Sequence, residues 1–230
     1  MKELQLQPRL QHLAAQIPQG SRVADIGTDH GYLPVWMIQH GIAASVIATD
    51  IAAEPLAHAR RTAAEYGISN IDFRLSAGLD DISPSEVDII IVAGMGGDTI
   101  VSILQAAPWT KQSGILLILQ PMTKVEMLRG WLSDNGYCFT GESLVWDKNY
   151  IYPIMILKGG EMSCLSEAEK WSGHIKLQND PLYKDYLTRQ ISRLQKAIGG
   201  LKLANDIVSH QKADELSKIC RILEKKRKQL

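Results

Sequence analysis

Apolar and polar positions follow two different rhythms along this chain. Up to about residue 160, short apolar runs alternate with amphipathic stretches of helical period. Leu4–Ile17 reads as a leading helix with Leu10, Leu13, Ala14 and Ile17 on one face. Arg22–Ile26 is a strand, Leu33–His40 a helix closed by Gly41, and Ser45–Thr49 a second strand. Pro55–Tyr66 is a helix with Leu56, Ala59 and Ala63 inward, followed by a strand at Ile71–Leu75. Asp88–Ala93 is continuously apolar, as expected for the centre of a parallel sheet. Thr99–Ala106 continues as a helix, Gly114–Leu119 as a strand and Val125–Leu132 as a helix. Tyr137–Trp146 and Tyr150–Leu157 are strands joined by Asp147-Lys148-Asn149, a hairpin signal. Alternating βα units that end in a hairpin predict an α/β fold with a seven-stranded sheet and an antiparallel last strand. Gly159-Gly160 then marks a boundary, giving domains at 1–160 and 161–230.

Beyond that boundary no strand pattern survives. Leu187, Ile191, Leu194, Ile198 and Leu201 form a heptad seam, and Leu216, Ile219 and Leu223 repeat it after a polar stretch. The pattern predicts an α-helical coiled-coil hairpin, antiparallel and interrupted near Gly199-Gly200. Lys184, Arg189, Arg193, Lys196, Lys218, Arg221 and Lys225–Lys228 dress its outside.

Composition changes this picture in one respect. The formal net charge is zero, yet the chain is polarised. Residues 1–169 hold 11 Lys/Arg against 19 Asp/Glu, whereas residues 170–230 hold 14 against 6. Such a split between halves points to nucleic-acid contact, with a solvated helical face or an oligomerisation arm as the plainer reading. A hydrophobic fraction of 45% suffices for a core. No charged-then-apolar leader is expected, and the apolar runs are too short to span a bilayer. Cys138, Cys164 and Cys220 lie far apart without a C-x-x-C pair, which suggests a reducing, cytoplasmic setting and no metal site.

The candidate chemistry sits in Val23–Leu33, where the first strand runs through a glycine-containing turn into a helix. The turn reads Asp25-x-Gly27-x-Asp29-x-Gly31. A dinucleotide site would want G-x-G-x-x-G and a diphosphate on the helix N-terminus. Two carboxylates repel phosphate but suit a ligand carrying an ammonium and a sulfonium, namely S-adenosylmethionine. The spacing resembles the first motif of the class I methyltransferases. Asp50, with Ile51 beside it, ends the second strand where the ribose diol of an adenosine is held in such folds. Charge-assisted hydrogen bonds of that kind contribute about 1.5–3 kcal/mol each. The alternative is that Asp50 caps the next helix.

Further along, Ser76-Ala-Gly78-Leu79-Asp80 would face adenine, and since Ala77 cannot read an amine, backbone groups or Asp80 would have to. Gly94-Met95-Gly96-Gly97 follows the central strand without the [Asn/Asp]-Pro-Pro-aromatic tetrapeptide expected for methylation of exocyclic amines, which suits attack by a ring nitrogen instead. Gln120, before Pro121, stands at the carboxyl edge of the sheet and needs a partner there, either protein or substrate. Arg9 is either a surface charge or part of the site mouth.

Taken together, Arg9, Asp25-Ile-Gly-Thr-Asp-His-Gly-Tyr-Leu-Pro34, Gly94–Gly97, Leu119-Gln-Pro121 and the helical tail resemble the bacterial tRNA adenine N1-methyltransferases acting on position 22, the TrmK family. The chain departs from that family's usual Gly-Asp-Gly-Leu loop at Ser76–Leu79. From the sequence itself, no metal or membrane and a monomeric protein are expected; the resemblance implies a Rossmann-like class I methyltransferase fold, S-adenosylmethionine as cofactor and tRNA as partner. It implies Asp25, Gly27, Asp29 and Gly31 at the methionine end, Asp50 and Ile51 at the ribose, and Gly78, Leu79 and Gly94 beside them. Tyr32, Met95, Gly96, Gly97, Gln120, Pro121 and Arg9 would meet the target base, and Arg189, Arg193 and Lys196 the tRNA backbone. Asp29 would favour the developing charge, and His30 is either a proton acceptor or a hydrogen-bonded loop residue. The competing readings are a methyltransferase of a small molecule or protein with a dimerisation tail, and a non-catalytic tRNA-binding protein.

Overall fold

The computed structural model describes residues 3–230, the side chains of residues 175 and 176 excepted. Residues 1 and 2, where the reading of a leader begins, lie outside it. Seven strands form one sheet in the order β3-β2-β1-β4-β5-β7-β6. They are β1 Ser21–Ile26, β2 Ala43–Asp50, β3 Ile71–Leu75, β4 Ile89–Gly96, β5 Leu116–Thr123, β6 Tyr137–Asp147 and β7 Tyr150–Gly159. β1 to β5 pair in parallel, while β7 is antiparallel to both β5 and β6. The strand order reverses beside β1, where the chain turns from building towards β3 to building towards β5.

Side-chain alternation sorts the core onto the two faces. On one face Ala24, Ile26, Ile90, Val92, Leu117 and Leu119 pack against α4 (Gly97–Ala106) and α5 (Val125–Asp134). On the other, Val23, Ile89, Ile91 and Ile118 pack against α1 (Pro8–Ala14), α2 (Tyr32–Gln39) and α3 (Ala53–Glu65). Covered on both sides, the central strands can be apolar at every position.

Four local expectations need correction. The leading helix is confined to Pro8–Ala14, because Pro8 fits its first turn and Leu4 is instead tied back by its N–H to Gln39 Oε1 at 2.9 Å. β5 runs on through Gln120 and Pro121 to Thr123, paired with β4 across two register shifts. The tail helix α7 (Tyr183–Lys202) passes unbroken through Gly199 and Gly200, which face open space. Each glycine costs a helix about 1 kcal/mol, and the apolar seam against α8 (Ile207–Lys228) outweighs it. Finally, residues 161–182, for which the apolar pattern predicts no element, carry a short helix α6 (Glu167–Ser172). Its signal was present: Ser166 and Glu169 form a reciprocal capping box.

The helical hairpin of α7 and α8 does not stand apart from the sheet. Leu144 of β6 and Ile151 of β7 share a core with Leu177, Tyr183, Tyr186, Leu187 and Leu223. Beneath it lies a fully buried ion pair, Arg129 of α5 to Glu142 of β6 at 2.6 Å. Arg129 Nη1 also donates to Lys170 O at 2.9 Å and Tyr186 Oη at 3.0 Å, and Glu142 accepts from His174 N at 2.7 Å. Burial alone would depress the guanidinium; Glu142 and Tyr186 beside it turn the balance upward. Contacts with β6 step from Glu142 with His174, to Leu144 N with Asp180, to Arg189 stacked 4.7 Å over Trp146 and donating to Asn149 O. α7 therefore heads towards the carboxyl edge of the sheet.

Candidate active site

A cleft of about 640 Å³ opens at that edge, above the point where the strand order reverses. This is where open α/β sheets bind ligands. The floor is the turn between β1 and α2. Gly27 and Gly31 have φ of 73° and 69°, and each also makes room. A Cβ at Gly27 would run into the Met95 methyl, and one at Gly31 would stand 2.8 Å from Ala59 Cβ of α3. Asp29 is itself left-handed, with φ 52°, a conformation that Asp tolerates better than most residues.

Three acids surround the turn with different roles. Asp25 is buried, and that burial pushes its carboxyl up to about 6; the Thr28 side chain works against the rise and Asp50 adds to it. No basic side chain is among the groups that perturb it. The Thr28 hydroxyl is also buried and lacks a partner in hydrogen-bond geometry, although it lies near enough to act on Asp25. Asp50 accepts from Asp29 N at 3.3 Å and Ala52 N at 3.1 Å. It thus fixes the turn and braces the entry to α3 together, and it lines the cleft with acceptor capacity beyond these two bonds. Asp29 is largely exposed at the mouth, 3.7 Å from His30 Nε2. His30 stacks on Tyr32 with centroids 5.5 Å apart and meets His58 edge-on at 5.3 Å.

The cleft gathers Arg9, Asp25, Gly27, Asp29, His30, Tyr32, Asp50, Ile51, Gly78, Gly94 and Met95 from five segments of the chain. Gly31, Leu79, Gly96, Gly97, Gln120 and Pro121 stand outside its lining. Leu79 is buried in the core, and a Cβ at Gly97 would meet Lys124 O at 2.6 Å, so that glycine lets α4 start close to the loop before α5. Gln120 is fully buried and its partners are protein groups: Oε1 accepts from Arg9 Nη1 at 2.5 Å and Gly94 N at 3.2 Å, and Nε2 donates to Pro121 O. Arg9 in turn lies 3.7 Å from Asp147. Arg9 is therefore a fixed wall of the cleft rather than a free surface charge. Arg189 and Arg193 are not brought to the cleft: Arg189 lies over Trp146, and Arg193 lies over Trp171 and 3.8 Å from Glu126. Lys196 is exposed farther along α7.

Sequence reasoning passed over Thr28, Thr49, Thr99, Ser102 and Ile103, which also line the cleft. Thr99, Ser102 and Ile103 share one face of α4, three and four residues apart, and Ile103 closes over Gly78. A polar pair at helical spacing just after a strand end was the available signal. Among the described residues no group of three His, Cys, Asp or Glu is placed to hold a metal ion, and no helix is long and apolar enough to cross a membrane.

A methyltransferase domain family matches residues 6–155. The tRNA (adenine(22)-N(1))-methyltransferase of Bacillus subtilis is 36% identical over 162 residues, 70% of this chain and 68% of that one. The chain belongs to the TrmK family. Similarity to solved TrmK structures extends through the tail. The B. subtilis m1A22 tRNA methyltransferase TrmK superposes with a TM-score of 0.87 at 29% identity, covering 98% of this chain and 100% of that one. TrmK of M. capricolum, solved with S-adenosylhomocysteine, gives 0.80 at 27% identity over 95% and 98%. The cleft suits such a ligand on its own evidence. Its volume is in the range of small-molecule pockets, a buried acid without a counter-charge awaits a cation, and the Thr28 hydroxyl awaits a partner.

Proposed function

We propose that the chain transfers a methyl group from S-adenosylmethionine to N1 of an adenosine in tRNA, at position 22. The observation that carries this is the buried, uncompensated Asp25 carboxyl in an adenosine-sized cleft. It is joined to 36% identity with an enzyme of that name. Residues 1–160 serve as the methyltransferase domain and 161–230 as the basic RNA-holding domain. The setting is the cytoplasm. A monomer is supported by the hairpin seam, whose Leu187, Ile191, Leu194 and Leu223 are buried within the chain itself.

S-adenosylmethionine, when bound, supplies an electrophilic methyl carbon. Asp25, Gly27 and Asp29 would hold its charged methionine end, Asp50 with Ile51 the ribose, and Gly78, Asp80 and Ile103 the adenine. Asp80, three residues beyond Ala77 and also lining the cleft, would serve in place of the family's loop acid. Tyr32, exposed at the mouth, and Met95, whose methyl lies over Gly27, would pack on the extruded target base, whose unstacking costs a few kcal/mol. Adenine N1 carries an in-plane lone pair, so no side chain need remove a proton before attack. The work of the protein is alignment. As N1 becomes positive, the exposed Asp29 carboxylate at the mouth favours that charge. His30, stacked on Tyr32, positions it and need accept no proton.

Unmodified tRNA transcripts incubated with labelled S-adenosylmethionine should gain N1-methyladenosine in the D-arm region, read by nucleoside mass spectrometry and mapping. Cofactor binding without incorporation would overturn the proposal and leave the basic tail as a partner-binding arm.

A further inference from the structure

The hairpin between β6 and β7 lies at the same edge as the cleft. Leu119 of β5 pairs with Met155 of the antiparallel β7, so β7 begins, at Tyr150, beyond the carboxyl end of the sheet. On one face of this hairpin stand Tyr150 and Tyr152, two residues apart, with ring centroids 5.9 Å apart and planes tilted by 37°. Tyr150 is 61% exposed, which is unusual for a large ring in a strand. Asp147 pairs with Tyr150 across the hairpin, and it is also the residue that Arg9 approaches at 3.7 Å. Arg9 and Asp147 are both felt by the Tyr152 hydroxyl. The aromatic pair is thus joined to the cleft by Arg9, whose guanidinium reaches Gln120 beside Gly94.

The tip is also held from behind. Trp146, on the opposite face, donates from Nε1 to Lys148 O at 2.8 Å, and Arg189 lies over its ring and donates to Asn149 O at 2.7 Å. The turn is fixed by α1 on one side and α7 on the other. Lys148, exposed at φ 54°, adds a cation at its apex. An exposed ring backed by a second, half-buried one on a rigid support, with Lys148 at the apex, is the combination that stacks an unpaired base while a cation meets its phosphate.

We propose that Tyr150, with Tyr152 and Lys148, forms a stacking shelf for a nucleotide of the RNA substrate next to the one being methylated. This rests on the tRNA reading above. It names a contact outside the cofactor cleft and apart from the basic face of the tail. The shelf would hold the neighbour of the extruded base and so help to keep the target out of its stack.

The test compares Tyr150→Ala, Tyr150→Phe and Lys148→Ala with the wild type in tRNA methylation at saturating S-adenosylmethionine, with cofactor affinity measured separately. Tyr150→Ala should raise the KM for tRNA about fivefold or more, the effect of losing one base–ring stack, while cofactor affinity stays unchanged. Tyr150→Phe should remain within about twofold of wild type, since stacking needs the ring and not the hydroxyl. Stacking releases no counterions, so Tyr150→Ala should leave the salt dependence of tRNA binding unaltered, whereas Lys148→Ala should flatten it. An unchanged KM for Tyr150→Ala, or equal loss in Tyr150→Phe, overturns the shelf while leaving the tRNA reading in place. A wild-type protein that methylates no tRNA overturns both.

Discussion

Asp25 shows how much one residue can be asked to do. Its carboxyl is buried with no counter-ion, and is therefore pushed up to about 6. An acid raised on folding costs nothing below the unfolded value near pH 4, and its cost grows as pH rises and is complete above about 6. Without ligand, Asp25→Asn should therefore stabilise the protein at pH 7.5, by about 2–3 kcal/mol at most, in calorimetric unfolding. Binding should show the reverse. A cationic cofactor is held by the ionised form, so affinity should climb between about pH 5 and 7 in the wild type, and the Asn variant should bind weakly and without that climb. A flat wild-type profile would remove Asp25 from the methionine end. The acid and its flanking glycines were legible in the sequence because the chemistry of that turn is local. The role of Gln120 was not: whether its amide met protein or substrate depended on Arg9, 111 residues away.

At the scale of elements, the strands and helices of the sheet were largely readable, because alternation and helical period are imposed by faces that must be buried. β3 begins at Ile71 and ends at Leu75, the bounds of an alternation of apolar Ile71, Phe73 and Leu75 with charged Asp72 and Arg74. The errors fell where another element supplied what the local pattern lacked. β5 extends past Leu119 because β4 continues beside it, and α7 survives two glycines because α8 covers its seam. The joint between α5, β6 and α7 was invisible, since nothing in Arg129 or Glu142 alone marks them as partners. Arg129→Ala would leave Glu142 buried and unpaired and should lower unfolding stability by about 3–5 kcal/mol in urea. Replacing both together, as Arg129→Met with Glu142→Leu, should restore a good part of that loss. Recovery no better than the single variant would mean that the carbonyls and hydroxyl around Arg129 carry the cost.

Over the whole molecule, the charge split in the sequence becomes a direction in space. The acidic body holds the cleft, and the basic hairpin heads out past the same edge. The cations divide into two kinds that sequence cannot separate. Arg189 and Arg193 lie over Trp146 and Trp171 and fasten the hairpin to the body, whereas Lys196, Lys218 and Arg221 are exposed. Lys196→Ala and Lys218→Ala should each weaken tRNA binding and lower its salt slope by roughly 0.7–0.9 if they meet phosphates. Arg189→Ala should instead lower thermal stability. Equal slopes for all variants would place the RNA elsewhere.

The buried Arg129–Glu142 pair also bears on how the protein comes into being. Its ligands arrive in order: Glu142 within the sheet, then Lys170 O, His174 N and, last, the Tyr186 hydroxyl. While a chain is being synthesised, a ribosome that has released the whole sheet has not yet released the groups that close this pair off from water. The sheet is complete before it is sealed, and the segment that seals it leads straight into the basic helix. Maturation of the cleft-bearing body and erection of the arm beside it thus become one event.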